Sequence, residues 1–274
     1  MDKLNRRDAL RLVGVGVGSV FAYGAAQGAS AADAIASPAM VDGAEAWKYA
    51  VVDPDKVARD AYEQYHVGRC MHTTFMAIVK NVGEKLADVD PLASAAMLNF
   101  PFHMMKYGDS GANGWGSLCG SLNGAMAAVA LFCGDSATRK AILDELGNYY
   151  ERTMFPIFKP EDGEELPQSI SNSILCHVSS GKWADVAKVR TDAPERTERC
   201  SRLSADVAKK TAELLNLYLT SDVSDEVKAA ALSKRPEPAA SCIKCHNKGG
   251  ETSDVIGKMT CNECHTDKTV DHHK

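Results

Sequence analysis

Large apolar side chains are almost missing from the last 34 residues of this 274-residue chain, 241–274. A segment so poor in them cannot build a core of its own and needs another source of buried surface. Alternating runs of valine, isoleucine or aromatic residues are scarce along the whole chain, which excludes a mainly β architecture. Beyond the first 31 residues no stretch approaches the roughly 20 apolar residues of a membrane span. Basic surplus is lacking too: the formal charge is −5, with 31 Lys and Arg against 36 Asp and Glu. Four of those basic residues and only two of the acidic ones lie in residues 1–31. The remainder is therefore more acidic still and presents no footprint for nucleic acid. Nothing resembles a general acid–base pair or a nucleophile beside its base.

The apolar-poor tail does contain Cys242-Ile243-Lys244-Cys245-His246 and Cys261-Asn262-Glu263-Cys264-His265. Cysteines three apart reach two neighbouring vinyl edges of one porphyrin, and the next residue swings its imidazole under the metal. C-x-x-C-H therefore reads as attachment of c-type haem, with Cys242, Cys245, Cys261 and Cys264 as the covalent points and His246 and His265 as proximal ligands. The fifteen residues between Cys245 and Cys261 also satisfy the spacing of a four-thiolate zinc ribbon. A ribbon, however, has no use for a histidine after each pair. Two haems per chain would supply the buried surface that 241–274 lacks, by packing on the body or on a second subunit.

Haem c is attached outside the cytoplasm in bacteria, and residues 1–31 read as an export signal. Asn5-Arg6-Arg7-Asp8-Ala9-Leu10-Arg11-Leu12 resembles the twin-arginine motif, a modestly apolar, glycine-rich run follows from Leu12 to Ala26, and Ala29-Ser30-Ala31 supplies an A-x-A site. An uncleaved anchor helix is the alternative, but this run is short for a membrane span. The expectation is a soluble periplasmic protein that does not span a membrane when mature. Twin-arginine export carries folded proteins, often because a cofactor was inserted beforehand. Haem c is added after export, so a second cofactor is implied. Of nine cysteines, the haem motifs leave Cys70, Cys119, Cys133, Cys176 and Cys200. An odd remainder cannot pair entirely within one chain, so four ligands plus one buried thiol is as economical as disulfides.

The body reads as helical. Asp53 before Pro54 gives an N-cap and first turn, and Val57, Ala61, Tyr65, Gly68, Met71, Phe75, Ile78, Val82 and Leu86 recur every three or four residues. This predicts one long helix to about residue 87, broken at Gly68. Glycine-rich 101–118 reads as loop. A second helix is expected from Leu118 to before Gly134, with Gly120, Gly124 and Ala128 forming a face that another backbone can approach. A third is capped by Asp135 or Ser136, with Ile142, Leu146 and Tyr150 inward. A fourth covers Ser169 to Lys188, and Pro194 opens a fifth with an apolar stripe of Cys200, Leu203, Val207, Thr211, Leu214 and Tyr218. After a short helix near 224–233, the proline-containing 234–240 is a linker. The expected class is mainly α: signal 1–31, N-terminal extension 32–52, helical body 53–233, linker 234–240, and a dihaem segment 241–274 of little regular structure.

Cys119-Gly120-Ser121-Leu122-Asn123-Gly124 resembles the C-G-A-x-x-G motif of a redox-active family named C-GCAxxG-C-C for four cysteines and that motif, with serine in place of alanine. The family pattern maps its other cysteines onto Cys70, Cys176 and Cys200, and the likeness covers roughly 55–220. Joined to two C-terminal haem motifs, the whole mature chain resembles the split-Soret cytochrome c family. That resemblance implies a homodimer, two bis-histidine haems per subunit and a 2Fe-2S cluster on Cys70, Cys119, Cys176 and Cys200. A disulfide among these cysteines is the alternative, and for Cys200 so is a buried structural thiol. Candidate distal haem ligands are His272 and His273, which can round a porphyrin edge from the tail, and His103 on the body. His66, His72 and His177 read as outer donors to the cluster or as surface groups. The expected function is periplasmic electron transfer by a carrier rather than an enzyme. A reductase of nitrogen or sulfur oxyanions with one open haem and a zinc-stapled interaction module are the competing readings.

Overall fold

The computed structural model describes residues 46–220, 222–232, 242–243, 245–246 and 257–265. The expected export signal 1–31, the expected linker 234–240, and His272 and His273 lie outside them. The fold is mainly α.

Helix α1, Pro54–Glu63, starts where the sequence indicates: the Asp53 carboxylate accepts from the Asp55 N–H at 2.9 Å, and proline occupies the first turn. Val57, Ala58 and Ala61 form its buried side. Helix α2, Tyr65–Leu86, follows directly. The break is at Gln64 and again at Arg69, whose φ of 64° and ψ of −171° leave helical space. Gly68 is small for another reason, since a Cβ there would stand 2.1 Å from His72 Nδ1. Helix α2 is the central element, packing against α1 and against every helix named next except α5 (Ser136–Arg152), α6 (Cys176–Ala187) and α8 (Asp225–Ala230).

Helix α3, Pro91–Leu98, is unexpected, although Asp90 caps it through the Ala93 N–H at 3.1 Å just as Asp53 caps α1. The region predicted as loop contains a 3₁₀ helix, Phe102–Gly108, before a run of positive-φ residues at 110–114 and Gly116. Glycine content alone conceals it, because Phe102 and Met105 are buried against the core. Helix α4, Gly120–Phe132, brings its small face onto α2: a Cβ at Gly124 would lie 2.5 Å from the Met71 carbonyl oxygen. Helix α5, capped by Asp135 on the Thr138 N–H at 2.7 Å, buries Ile142, Leu146 and Tyr150. The predicted start at Ser169 is corrected: Ser169–Ile170 is strand β2, antiparallel to β1, Met154–Phe155, and α6 begins only at Cys176. Helix α7, Pro194–Leu219, packs on α1, α2, α4, α5 and α6, and a short α8, Asp225–Ala230, follows. Residues 46–52 lie on this body, with the Trp47 N–H donating to the Leu131 carbonyl at 2.9 Å and the Val52 N–H to Asn216 Oδ1 at 3.1 Å.

Candidate functional site

Four cysteines far apart in sequence come from four helices to one cavity. Cys70 lies in α2 just past the Arg69 kink, Cys119 is the N-cap of α4, Cys176 opens α6 and Cys200 lies in the second turn of α7. They line an internal space of about 20 Å³ together with Tyr65, Asp109, Tyr150, Arg196 and Arg199. No two cysteines among the described residues are joined in a disulfide. Among the described residues no three His, Cys, Asp or Glu side chains stand close enough to hold one ion. The thiols thus ring a volume rather than converge on a point. Cys133, also buried, is elsewhere and donates to the Asp135 carbonyl at 3.6 Å.

Local backbone geometry explains the gathering. An antiparallel bridge joins Leu118 to Leu175, the Cys119 N–H donates to the Ile174 carbonyl at 2.9 Å, and the Cys176 N–H to the Ser117 carbonyl at 2.7 Å. Two chain segments are therefore clamped side by side, and the helices α4 and α6 both begin at the cavity wall with their positive dipole ends there. Gly120 is an absolute requirement of contact: a Cβ would be 2.3 Å from Cys70 Sγ and 2.5 Å from the Gly108 carbonyl oxygen. Gly111, at φ +68°, faces Cys176 across a distance at which a Cβ would stand 2.8 Å from the cysteine's Cβ. Cys70 donates long bonds of 3.9 Å to the Gly108 carbonyl and to Asp109 Oδ1.

The electrostatics are unusual for a protein core. Burial, with the neighbouring Cys119, pushes the Cys70 thiol well up; burial pushes Cys119 up, and Cys176 up to about 12. An ion taken by these thiols has to displace their protons, which is the ordinary course of thiolate coordination. Beside them Arg199 is 1% exposed, so a permanent positive charge stands at the thiol cavity. Arg199 is a functional candidate that helix periodicity misses, since a charged residue on a stripe-bearing helix is ordinarily read as surface.

The histidines separate clearly. His66, His103 and His177 are exposed, His177 holding the Gly116 carbonyl through Nδ1 at 2.9 Å. His72 is neither a surface group nor a cavity wall: it is buried, edge-on to Phe102 at 6.5 Å, and burial lowers its pKa. In the tail, the His246 N–H donates to the Cys242 carbonyl at 3.0 Å and the His265 N–H to the Cys261 carbonyl at 2.9 Å. Each C-x-x-C-H motif is thus one helical turn, which puts its two cysteines and its histidine on one side. Next to the second motif, a groove of about 770 Å³ runs between α5 and Met259, with Met126, Leu143 and Ile174 among its apolar walls. Thr260 fastens this end of the tail to the body, its N–H and hydroxyl donating to Glu151 at 3.2 and 3.3 Å.

The chain is similar to known proteins. Residues 91–214, which include Cys119, Cys176 and Cys200, match the family described as "Putative redox-active protein (C_GCAxxG_C_C)". Over 268 residues the chain is 34% identical to the split-Soret cytochrome c of Desulfovibrio desulfuricans, covering 95% of this chain and 91% of that protein. A solved structure described as a novel iron centre in the split-Soret cytochrome c from Desulfovibrio desulfuricans is also similar. It aligns with a TM-score of 0.70 at 33% identity, over 81% of this chain and 92% of that one.

Proposed function

The chain belongs to the split-Soret cytochrome c family, and from that membership we propose an exported, periplasmic electron-transfer protein with two c-type haems and an iron–sulfur cluster. The haems attach at Cys242 and Cys245 and at Cys261 and Cys264, with His246 and His265 as proximal ligands. The cluster, of the 2Fe-2S type, belongs to the cavity of Cys70, Cys119, Cys176 and Cys200. The observation that carries the reading is the arrival of those four thiols, from four helices, at one buried cavity. Each group when bound exchanges single electrons; the protein supplies ligands, insulation and charge.

The donor set fits. Thiolates are the ligands that iron–sulfur clusters take, and the absent side chain of Gly120 leaves room for Cys70 Sγ beside the α4 backbone. Helices α4 and α6 point their N-termini at the cavity and favour the thiolate form of the cysteines there. Burial among Tyr65, Tyr150 and Leu203 keeps water away from the centre. At the tail, one-turn folding of both motifs suits attachment to a single porphyrin edge, and the apolar groove beside Met259 offers a surface for the haem of the second motif. The homodimer and the distal ligands His272, His273 or His103 complete the proposal.

The test is chemical analysis of exported protein. Two covalent haems that survive a denaturing gel, plus acid-labile sulfide and iron beyond the haem iron, are expected. A gel band without haem stain contradicts the attachment sites, and absent sulfide contradicts the cluster. Low-spin haem spectra that carbon monoxide leaves unchanged distinguish a carrier from a reductase with an open haem.

A further inference from the structure

Arg199 makes no ion pair with a carboxylate among the described residues, yet it is 1% exposed; the buried Asp206 feels its charge but accepts from the Ile157 and Phe158 N–H groups instead. Its Nη2 donates to Ser179 Oγ at 2.9 Å, its Nη1 reaches Cys200 Sγ at 3.9 Å, and its Nε makes no hydrogen bond. Arg202, less than one turn away and also buried, shows how this fold ordinarily satisfies a guanidinium: it pairs with Glu198 at 2.7 Å and donates to the Glu164 carbonyl at 2.7 Å. Burying a cation with only neutral partners costs several kcal/mol, and arginine cannot shed its proton to escape that cost. The cavity's other charged groups do not supply the missing anion. Asp109 is engaged with Cys70 and with the Ser110 hydroxyl at 3.1 Å, and Arg196 adds a second positive charge while its Nε is committed to the Thr191 carbonyl at 2.7 Å.

We infer that Arg199 is the built-in counter-charge of the cysteine-bound centre, its unpartnered Nε–H the donor to the sulfur anions held in the cavity, and a determinant of that centre's reduction potential. The inference rests on the cluster reading above. Thiolates and sulfides around iron carry net negative charge, and one-electron reduction adds one more unit of it. A fixed cation at the same cavity favours the reduced form over the oxidised form and so raises the potential. Ser179 positions the guanidinium from α6.

The test uses the haem-loaded full-length protein with Arg199→Gln and Arg199→Lys, measuring sulfide content and then the cluster's potential by titration followed by electron paramagnetic resonance. The Gln variant is expected to shift the one-electron equilibrium at least about tenfold toward the oxidised centre, 59 mV for n = 1, with haem potentials unmoved. The Lys variant is expected to recover most of that shift. A Gln variant with full sulfide whose one-electron equilibrium lies within about tenfold of the wild type, less than 59 mV for n = 1, overturns the inference. If the Gln variant keeps its haems and helical content but loses sulfide, retention of sulfide in the Lys variant supports the counter-charge, and equal loss overturns it. Should neither variant fold, Ser179→Ala is titrated instead: a lowered potential supports the inference and an unchanged one overturns it. Wild-type protein without sulfide fails the cluster reading itself, before any variant is compared.

Discussion

Gly120 and Asp206 show how single residues here are constrained by what they touch. A methyl group at Gly120 would collide with Cys70 Sγ and the Gly108 carbonyl, so Gly120→Ala must push α2 from α4 or turn Cys70 out of the cavity. Overpacking of this kind costs about 1–3 kcal/mol, and the expected readouts are a lower urea midpoint and reduced iron and sulfide. Asp206 accepts from the Ile157 and Phe158 N–H groups at 2.8 and 2.7 Å, yet burial outweighs those bonds and raises its carboxyl to about 7. The folded protein thus binds a proton there that the unfolded chain, near 3.9, has released. Stability from this group is present below pH 4 and is lost as pH rises through 7. Asp206→Asn should flatten that slope in melting curves between pH 4 and 7; an unchanged slope would exclude Asp206 as its source. Neither residue's role was legible from the sequence in full. Gly120 stood inside a recognisable motif, whereas Asp206 is an ordinary acidic residue whose environment is made by the loop after β1.

At the scale of elements, the kink in α2 is what delivers Cys70. Arg69 sits at φ 64° and ψ −171°, a region that suits glycine and costs another residue about 1–3 kcal/mol. Arg69→Gly relieves that strain but adds up to about 1 kcal/mol of unfolded-state entropy and removes the contact of the guanidinium with the Tyr65 ring at 5.9 Å. Stability should therefore stay level or rise by about 1 kcal/mol; a fall of 2 kcal/mol in urea denaturation would show that the conformation is unstrained. Helices with capping signals were legible: Asp53-Pro54 and Asp135 announce α1 and α5. Asp90-Pro91 carries the same signal for α3, but eight residues give too few turns for a period to stand out. The start of α6 was read too early because Ser169–Ile170 is a strand only through pairing with Met154–Phe155, a long-range event invisible locally. Arg199 was missed because α7 is buried almost all round at Ser201–Ala208, so a one-sided stripe describes it poorly.

For the whole molecule, the cysteine pattern indicated which thiols belong together, but only the packing of α2, α4, α6 and α7 shows that they share a cavity. The apolar-poor tail anticipates that haem segments lean on other surface, and Thr260 on Glu151 and the groove beside Met259 provide one such surface. Replacing Cys261 and Cys264 together by alanine should leave a single haem-stained band of half intensity. Whether one chain joins covalent haem to a cluster held by Cys70, Cys119, Cys176 and Cys200 is decided by electron paramagnetic resonance of the reduced, exported protein. Such a cluster gives a reduced-state signal alongside the haem centres, lost in Cys119→Ser while both haems remain. Haem signals alone in the wild type, or a cluster signal unaffected by Cys119→Ser, would contradict the cluster assignment.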